Sequence, residues 1–314
     1  ALDAVCEAGL ALAQPSGRQE ARAFFERWFA PWRIRPADGS GFLTGYFEPQ
    51  VEGSLTPTPD FPAPVYGRPP DLVTLAPTEQ APGLPQGLAS ARRVGDRLEE
   101  HPDRPAIYAG ALRGRGLERL YLRDEAEVFI VQVQGSARVR LPDGSVVRLA
   151  YSGRSGHPYT SIGRILIDEG RIAREAMSLE ALMGWLRAHP DEARRVMERN
   201  RSYVFFDRIE GFDPALGPTG GAGLPLTPGR SLAVDRTLWS YGLPVWIAAT
   251  IDTLPPTEGR LARLTIAQDT GSAIVGPARA DYYWGSGPQA GRRAGLTRHA
   301  LDFVVLWPHV RGVP

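Results

Sequence analysis

Three aspartates in the C-terminal third sit inside glycine-punctuated strand patterns: Asp235 in LAVDR, Asp269 in LTIAQDTGSAI and Asp281 in ADYYWG. A strand ending in Asp-Thr-Gly, with a second acid twelve positions on, is built to display a carboxylate at the lip of a carbohydrate-sized cleft. Apolar walls disfavour the ionised form of a carboxyl and raise its pKa, as a general acid requires. Asp281 precedes Tyr282, Tyr283 and Trp284, so it is the leading candidate for acid/base chemistry on a sugar polymer. The plainer readings are that an Asp beside Gly caps turn amides, and that Asp235, followed by Arg236, forms an ion pair.

Other chemistries find little support. Gly285-Ser286-Gly287-Pro288-Gln289-Ala290 has the glycine spacing of a dinucleotide fingerprint, but Pro288 and the missing βαβ context leave it a turn. There is no Gly-x-Ser-x-Gly elbow, no phosphate loop and no His-x-x-x-His pair, and His157 reads as a surface or hydrogen-bonded histidine. Cys6 is the one cysteine, which excludes an intramolecular disulfide and a cysteine-ligated metal; it reads as a buried helical residue, and the preceding Asp-Ala-Val makes a poor lipid-attachment site.

The 36 basic and 35 acidic residues leave a net charge of +1, too weak a field to draw nucleic acid or an anionic membrane as the main partner. At 314 residues and 43% hydrophobic, the chain is expected to form two domains. No run of eighteen apolar residues and no signal-like start is present.

Elements that could position the aspartates follow from periodicity. Arg18 to Phe29 places Ala21, Phe24, Phe25, Trp28 and Phe29 on one helical face, and GFLTGYF (41–47) reads as a strand. Nine prolines between Pro57 and Pro85 mark an extended crossing into a second domain. Glu127 to Leu141 reads as a long strand turned by Pro142-Asp143-Gly144-Ser145 into VVRLAY. Helices are expected over 160–169, 178–187 with Ser178 as N-cap, and 190–199 from Pro190; YVFFD resumes strand. SLAVD, PVWIAAT, RLTIAQD, DYYWG and DFVVLW, without intervening helices, suggest a small barrel.

FLTGYFEP, YGRP, IYAGAL, VQVQGSARVRLPDGS, SGHPYTSIGRILIDEG, NRSYVFF, AVDR and QDTGSAI with GSGPQAGRRAG occur in an order that resembles the membrane-bound lytic murein transglycosylase A family, from about Ala21 onward. The resemblance implies a mainly β fold: a double-psi β-barrel over 1–48 and 206–314, its three-aspartate part at about 225–310, with a β-rich α+β domain inserted over 49–205 and a deep groove between. It implies Asp281 as the catalytic acid/base and Asp235 and Asp269 as supporting residues. Thr44, Gly45, Tyr46, Gln134, Gly135, Ser136, Tyr159 and Gly271 match positions that contact substrate, with 134–136 a groove strand. The Asp269–Asp281 segment is one residue longer than the family pattern.

The implied activity is cleavage of the β-1,4 bond between N-acetylmuramic acid and N-acetylglucosamine in peptidoglycan, leaving 1,6-anhydromuramic ends. No metal or organic cofactor is implied. The expected setting is the periplasm, associated with the outer membrane, as a monomer on glycan strands beside cell-wall synthesis and division proteins. A hydrolytic muramidase with Asp235 or Asp269 as second carboxylate, and a non-catalytic peptidoglycan-binding module, are the alternatives.

Overall fold

The computed structural model describes residues 2–12, 17–37, 39–76 and 83–309; positions 77–82 of the proline-rich crossing lie outside the described residues. The chain begins α1 (Leu2–Ala11), α2 (Arg18–Trp28), β1 (Phe29–Ile34), β2 (Gly41–Glu48), β3 (Gln50–Ser54), β4 (Ala63–Tyr66), β5 (Leu72–Thr74), β6 (Ser90–Val94) and β7 (Arg97–Glu99). Its middle runs α3 (Arg104–Tyr108), β8 (Glu118–Leu122), α4 (Glu125–Gln134), β9 (Ser136–Arg140), β10 (Val146–Arg154), α5 (Ile162–Asp168), α6 (Leu179–Ala188), α7 (Pro190–Glu198) and β11 (Val204–Ile209). It ends β12 (Ser231–Val234), β13 (Pro244–Thr250), α8 (Pro256–Gly259), β14 (Arg260–Asp269), β15 (Arg279–Ser286), α9 (Pro288–Leu296) and β16 (Arg298–Pro308).

Two compact units result, one of residues 1–45, 219–283 and 296–314 and the other of 46–218 and 284–295. In the first, strands run β16-β13-β14-β12-β15-β2, and β2 pairs back onto β16, closing a six-stranded barrel of the double-psi type with β1 laid outside along β16. Closure leaves the ring itself no free edge to aggregate. Period-two alternation turns Leu43, Leu232, Val234, Val245, Ile247, Phe303 and Val305 inward, all fully buried or nearly so. Gly41 starts β2 where the ring is tightest: a Cβ there would lie 2.7 Å from the Leu301 carbonyl oxygen and 2.8 Å from that of Ala278. The face expected on α2 is there, with Phe24, Phe25 and Phe29 rings edge-on or tilted at 5.2–6.0 Å, although no residue of the helix itself is fully buried.

The second unit holds a six-stranded sheet, β11-β10-β9-β3-β8-β4, a three-stranded one, β5-β6-β7, and helices packed on them. The 127–141 segment corrects the strand reading. It forms α4, Gly135, then β9. Asp124 caps the helix by accepting from the Glu127 amide at 2.7 Å, and Gly135 ends it in the left-handed conformation at φ 79°. Val128, Phe129, Ile130 and Val131 are all buried, because α4 packs on β-sheet and on α6 and α7 at once; a helix buried over consecutive positions shows no narrow 3.6-residue stripe. The hairpin beyond it forms as expected, β9 antiparallel to β10, as do the Ser178 cap and the Pro190 start.

Two further expectations are corrected. Cys6 lies in helix α1 but is exposed. The stretch read as a turn after Gly287 opens α9 instead, with Pro288 in the first turn, where its missing N–H costs nothing. Its small residues permit this: Ala290 and Ala294 pack on Phe47, and a Cβ on Gly291 would meet that ring at 2.8 Å.

The most heavily compensated buried charge is Glu48, at the end of β2. Arg148 Nε donates to Oε1 at 2.7 Å, Arg138 Nε and Ser286 Oγ donate to Oε2 at 2.7 Å each, and the side chain is fully buried. Phe212 underlies the Arg148 guanidinium at 4.1 Å, and the Leu216 carbonyl takes a further Arg148 hydrogen bond at 2.7 Å. Removing one partner of such a cluster strands the rest. Glu48→Ala is therefore expected to cost roughly 3 kcal/mol or more in urea unfolding, whereas a loss under about 1 kcal/mol would mean that the arginines reach other partners.

Candidate active site

Strand β15 carries Asp281 and its ring neighbour β2 carries Thr44. The Thr44 hydroxyl donates to Asp281 Oδ1 at 2.6 Å, and Arg279 Nη2 donates to the same Thr44 oxygen at 2.8 Å. Arg279 precedes Asp281 by two residues, which on a strand puts both side chains on one face. Its guanidinium lies 5.2 Å above the Phe42 ring.

Burial pushes the Asp281 carboxyl up to about 6; Arg279 and the Thr44 hydrogen bond pull it down, and Asp269 adds a smaller upward push. The strand period corrects one part of the aromatic-wall expectation. Tyr282 points to the opposite face of β15, where its hydroxyl would lie 3.1 Å from a Cβ on Gly229.

Asp235 and Asp269 are loop organisers. Asp235 Oδ1 accepts from the Thr237 amide at 3.0 Å and its hydroxyl at 2.6 Å, and Oδ2 accepts from the Gly276 amide at 2.8 Å. Burial works to raise the Asp235 pKa, but these hydrogen bonds outweigh it and hold the group below the usual carboxylate range. Arg236 instead faces Tyr241, at 6.0 Å from its ring. Asp269 Oδ1 accepts from the Gly221 and Thr270 amides at 2.9 Å each. The longer segment before Asp281 is anchored at three points: Gly276 on Asp235, the Pro277 carbonyl on the Trp239 indole N–H at 2.9 Å, and the Ala278 carbonyl on the Phe42 amide at 2.9 Å.

The remaining positions scatter. Gly45 and Tyr46 follow Thr44 along β2, and Gly271 is exposed in the loop after β14. Gln134 and Gly135 end helix α4 instead of forming a strand; Gln134 Oε1 accepts from the Phe47 amide at 3.2 Å, and buried Ser136 opens β9. Tyr159 is half-buried in the loop before α5. His157 is buried, its Nε2 2.7 Å from the His101 carbonyl oxygen. Among the described residues, no three of His, Cys, Asp and Glu stand close enough to hold a metal ion. Arg279 was missed by motif reading, although its place two residues before the candidate acid was a usable signal.

The site thus defines a class of double-psi barrel proteins in which an aspartate pushed up to about 6 sits against a threonine hydroxyl that a guanidinium also reaches. Residues 42–207 match the model of the MltA specific insert domain and 230–307 that of the 3D domain. A membrane-bound lytic murein transglycosylase A of Vibrio cholerae is 36% identical over 83% of this chain, which spans 64% of that relative's length. The crystal structure of a membrane-bound lytic murein transglycosylase from Agrobacterium tumefaciens superposes with a TM-score of 0.86 at 41% identity, covering 95% of this chain and 82% of that one. Escherichia coli MltA with bound chitohexaose gives 0.72 at 29% identity, over 92% and 78%. The chain belongs to the membrane-bound lytic murein transglycosylase A family.

The raised Asp281 pKa has a stability consequence with a definite sign. A carboxyl harder to ionise in the fold than in the unfolded chain leaves stability intact below about pH 4 and erodes it as pH rises through about 6. Asp281→Asn is thus expected to raise unfolding free energy at pH 7 by on the order of 2–3 kcal/mol and to change it little at pH 4. Denaturant curves at the two pH values measure this, and an equal change at both would contradict it.

Proposed function

We propose that the protein cleaves the glycan strands of peptidoglycan as a lytic transglycosylase, with Asp281 as the single acid/base. The observation that carries this reading is the Asp281 carboxyl itself, pushed to about 6 while Asp235 is held low and committed to Thr237 and Gly276. Family membership and the relative bound to chitohexaose support the glycan as ligand.

Protonated Asp281 donates to the oxygen bridging C1 of N-acetylmuramic acid and C4 of N-acetylglucosamine, and the C1–O bond breaks. The C6 hydroxyl of the same muramic residue attacks C1, giving its proton to the Asp281 carboxylate. A 1,6-anhydro ring forms, and the acid is regenerated with no water consumed. An intramolecular nucleophile needs no second carboxylate to activate water, so Asp235 and Asp269 are left to brace the loops around the site. The positions of Gly45, Tyr46, Gln134, Gly135, Ser136, Tyr159 and Gly271 are proposed to contact the strand. The proposed location is the cell envelope, at the periplasmic face of the outer membrane; among the described residues no helix is long and apolar enough to cross a membrane.

The product tests this reading. Muropeptides released from purified peptidoglycan are expected to end in a sugar one water lighter than the hydrolytic product and resistant to borohydride. Reducible ends carrying oxygen from labelled water would replace it with a muramidase. Asp281→Asn is expected to lower turnover by roughly a hundredfold to ten-thousandfold, with Asp235→Asn and Asp269→Asn losing less. Loss of equal size at Asp269 in a folded variant would favour a two-carboxylate mechanism.

A further inference from the structure

The Thr44 oxygen stands between a group that can only donate and a group that must alternate between accepting and donating. Arg279 Nη2 reaches it at 2.8 Å, and it reaches Asp281 Oδ1 at 2.6 Å. A guanidinium has five N–H donors and no acceptor, and a hydroxyl has one hydrogen and two lone pairs. With Arg279 on a lone pair, the Thr44 hydrogen is directed to the strongest acceptor in reach, Oδ1. Without Arg279, the hydroxyl is free to turn and accept from the protonated carboxyl, which would lodge the acid's proton on Oδ1.

We propose that Arg279 is a positioning residue which, through the Thr44 hydroxyl, reserves Asp281 Oδ1 as an acceptor and so makes Oδ2 the oxygen that exchanges its proton with substrate. The inference rests on the acid/base reading of Asp281. Arg279 is itself held in place, its guanidinium donating to the Ala280 carbonyl and lying over Phe42. Burial works against its charge, with Asp281 the group that favours it.

The charges around Asp281 are few enough to assign. Arg279 lies on its own strand and Asp269 at the end of β14. On β12, Ala233 sits opposite Asp281, and the carboxylate of Asp235 beyond it is bound to Thr237 and Gly276. On β16, Arg298 is the register partner of Thr44 and is exposed. Arg279 is therefore the cation whose removal should move Asp281 most.

The test is the pH dependence of muropeptide release. Because the cycle begins with protonated Asp281, the rate falls on the alkaline side as the carboxyl ionises near 6. Arg279→Gln removes a nearby positive charge that favours the carboxylate, so the alkaline limb is expected to move up by about one pH unit. The pH-independent kcat should drop at least tenfold, with KM within twofold, because the proton now also occupies Oδ1. Arg279→Lys, which keeps the charge, should return the limb to within a few tenths of a unit. A purely structural role would lower activity at every pH without moving the limb, and that result, in a variant with wild-type melting, overturns the proposal. Should Arg279→Gln fail to fold, Thr44→Val carries the same test, since it removes the hydroxyl that pulls the carboxyl down: an upward shift supports the relay and an unmoved limb overturns it. Asp281→Asn separates the two levels. If it is fully active, the acid/base reading falls; if it is inactive while the limb of Arg279→Gln stays put, the relay alone falls.

Discussion

The short contact between Thr44 and Asp281 joins residues 237 positions apart, and the candidate site is built around it. Bringing two such residues to hydrogen-bond distance demands loop closure over most of the chain, a cost that no local interaction offsets. Barrel closure meets it. Once β2 has paired with β16 and lies beside β15, the two side chains face each other as a consequence of strand alternation, and Gly41 removes the side chain that would hold the strands apart.

Glu48 and Asp281 are treated in opposite ways. Glu48 receives two guanidinium groups and a hydroxyl, distributed over both oxygens, so its charge is matched where it sits. Asp281 is enclosed with a single threonine on one oxygen and a guanidinium one atom further off. The first arrangement makes a rigid corner at the ends of β2 and β15. The second leaves the charge under-compensated, and burial pushes the carboxyl up to about 6.

Much of this was legible before any coordinates. The C-terminal strands announced themselves by β-branched runs between glycines, and the caps at Ser178 and Pro190 by residue type alone, because strand alternation and capping are local phenomena. The failures have a common cause in tertiary packing, which decides what is covered and what is left exposed. EVFIVQVQ looked like a strand because α4 is buried over five consecutive positions, Val128 to Gln132; the decisive local signals were the flanking Asp124 and Gly135. GSGPQAGRRAG looked like a turn because its helix α9 owes its stability to small residues seating on Phe47, a contact invisible in the segment itself. Cys6 was placed in the core on its residue type, yet the face of α1 that carries it is exposed.

For the site, residue type made Asp281 the leading candidate among thirty-five acidic residues, and the family resemblance set Asp235, Asp269 and Thr44 beside it. Their division of labour was decided by the fold. Asp235 became a staple because the Gly276 amide arrives at its second oxygen, and the Asp281 carboxyl is pushed up because burial outweighs Arg279 and the one hydroxyl it receives. Arg279 meets the Thr44 hydroxyl only because β2 brings it within 2.8 Å. Sequence determines what each side chain can donate, accept or ionise; distance and burial, which only the closed barrel sets, decide which of those capacities is used, because electrostatic and hydrogen-bond energies depend on separation and on the exclusion of water.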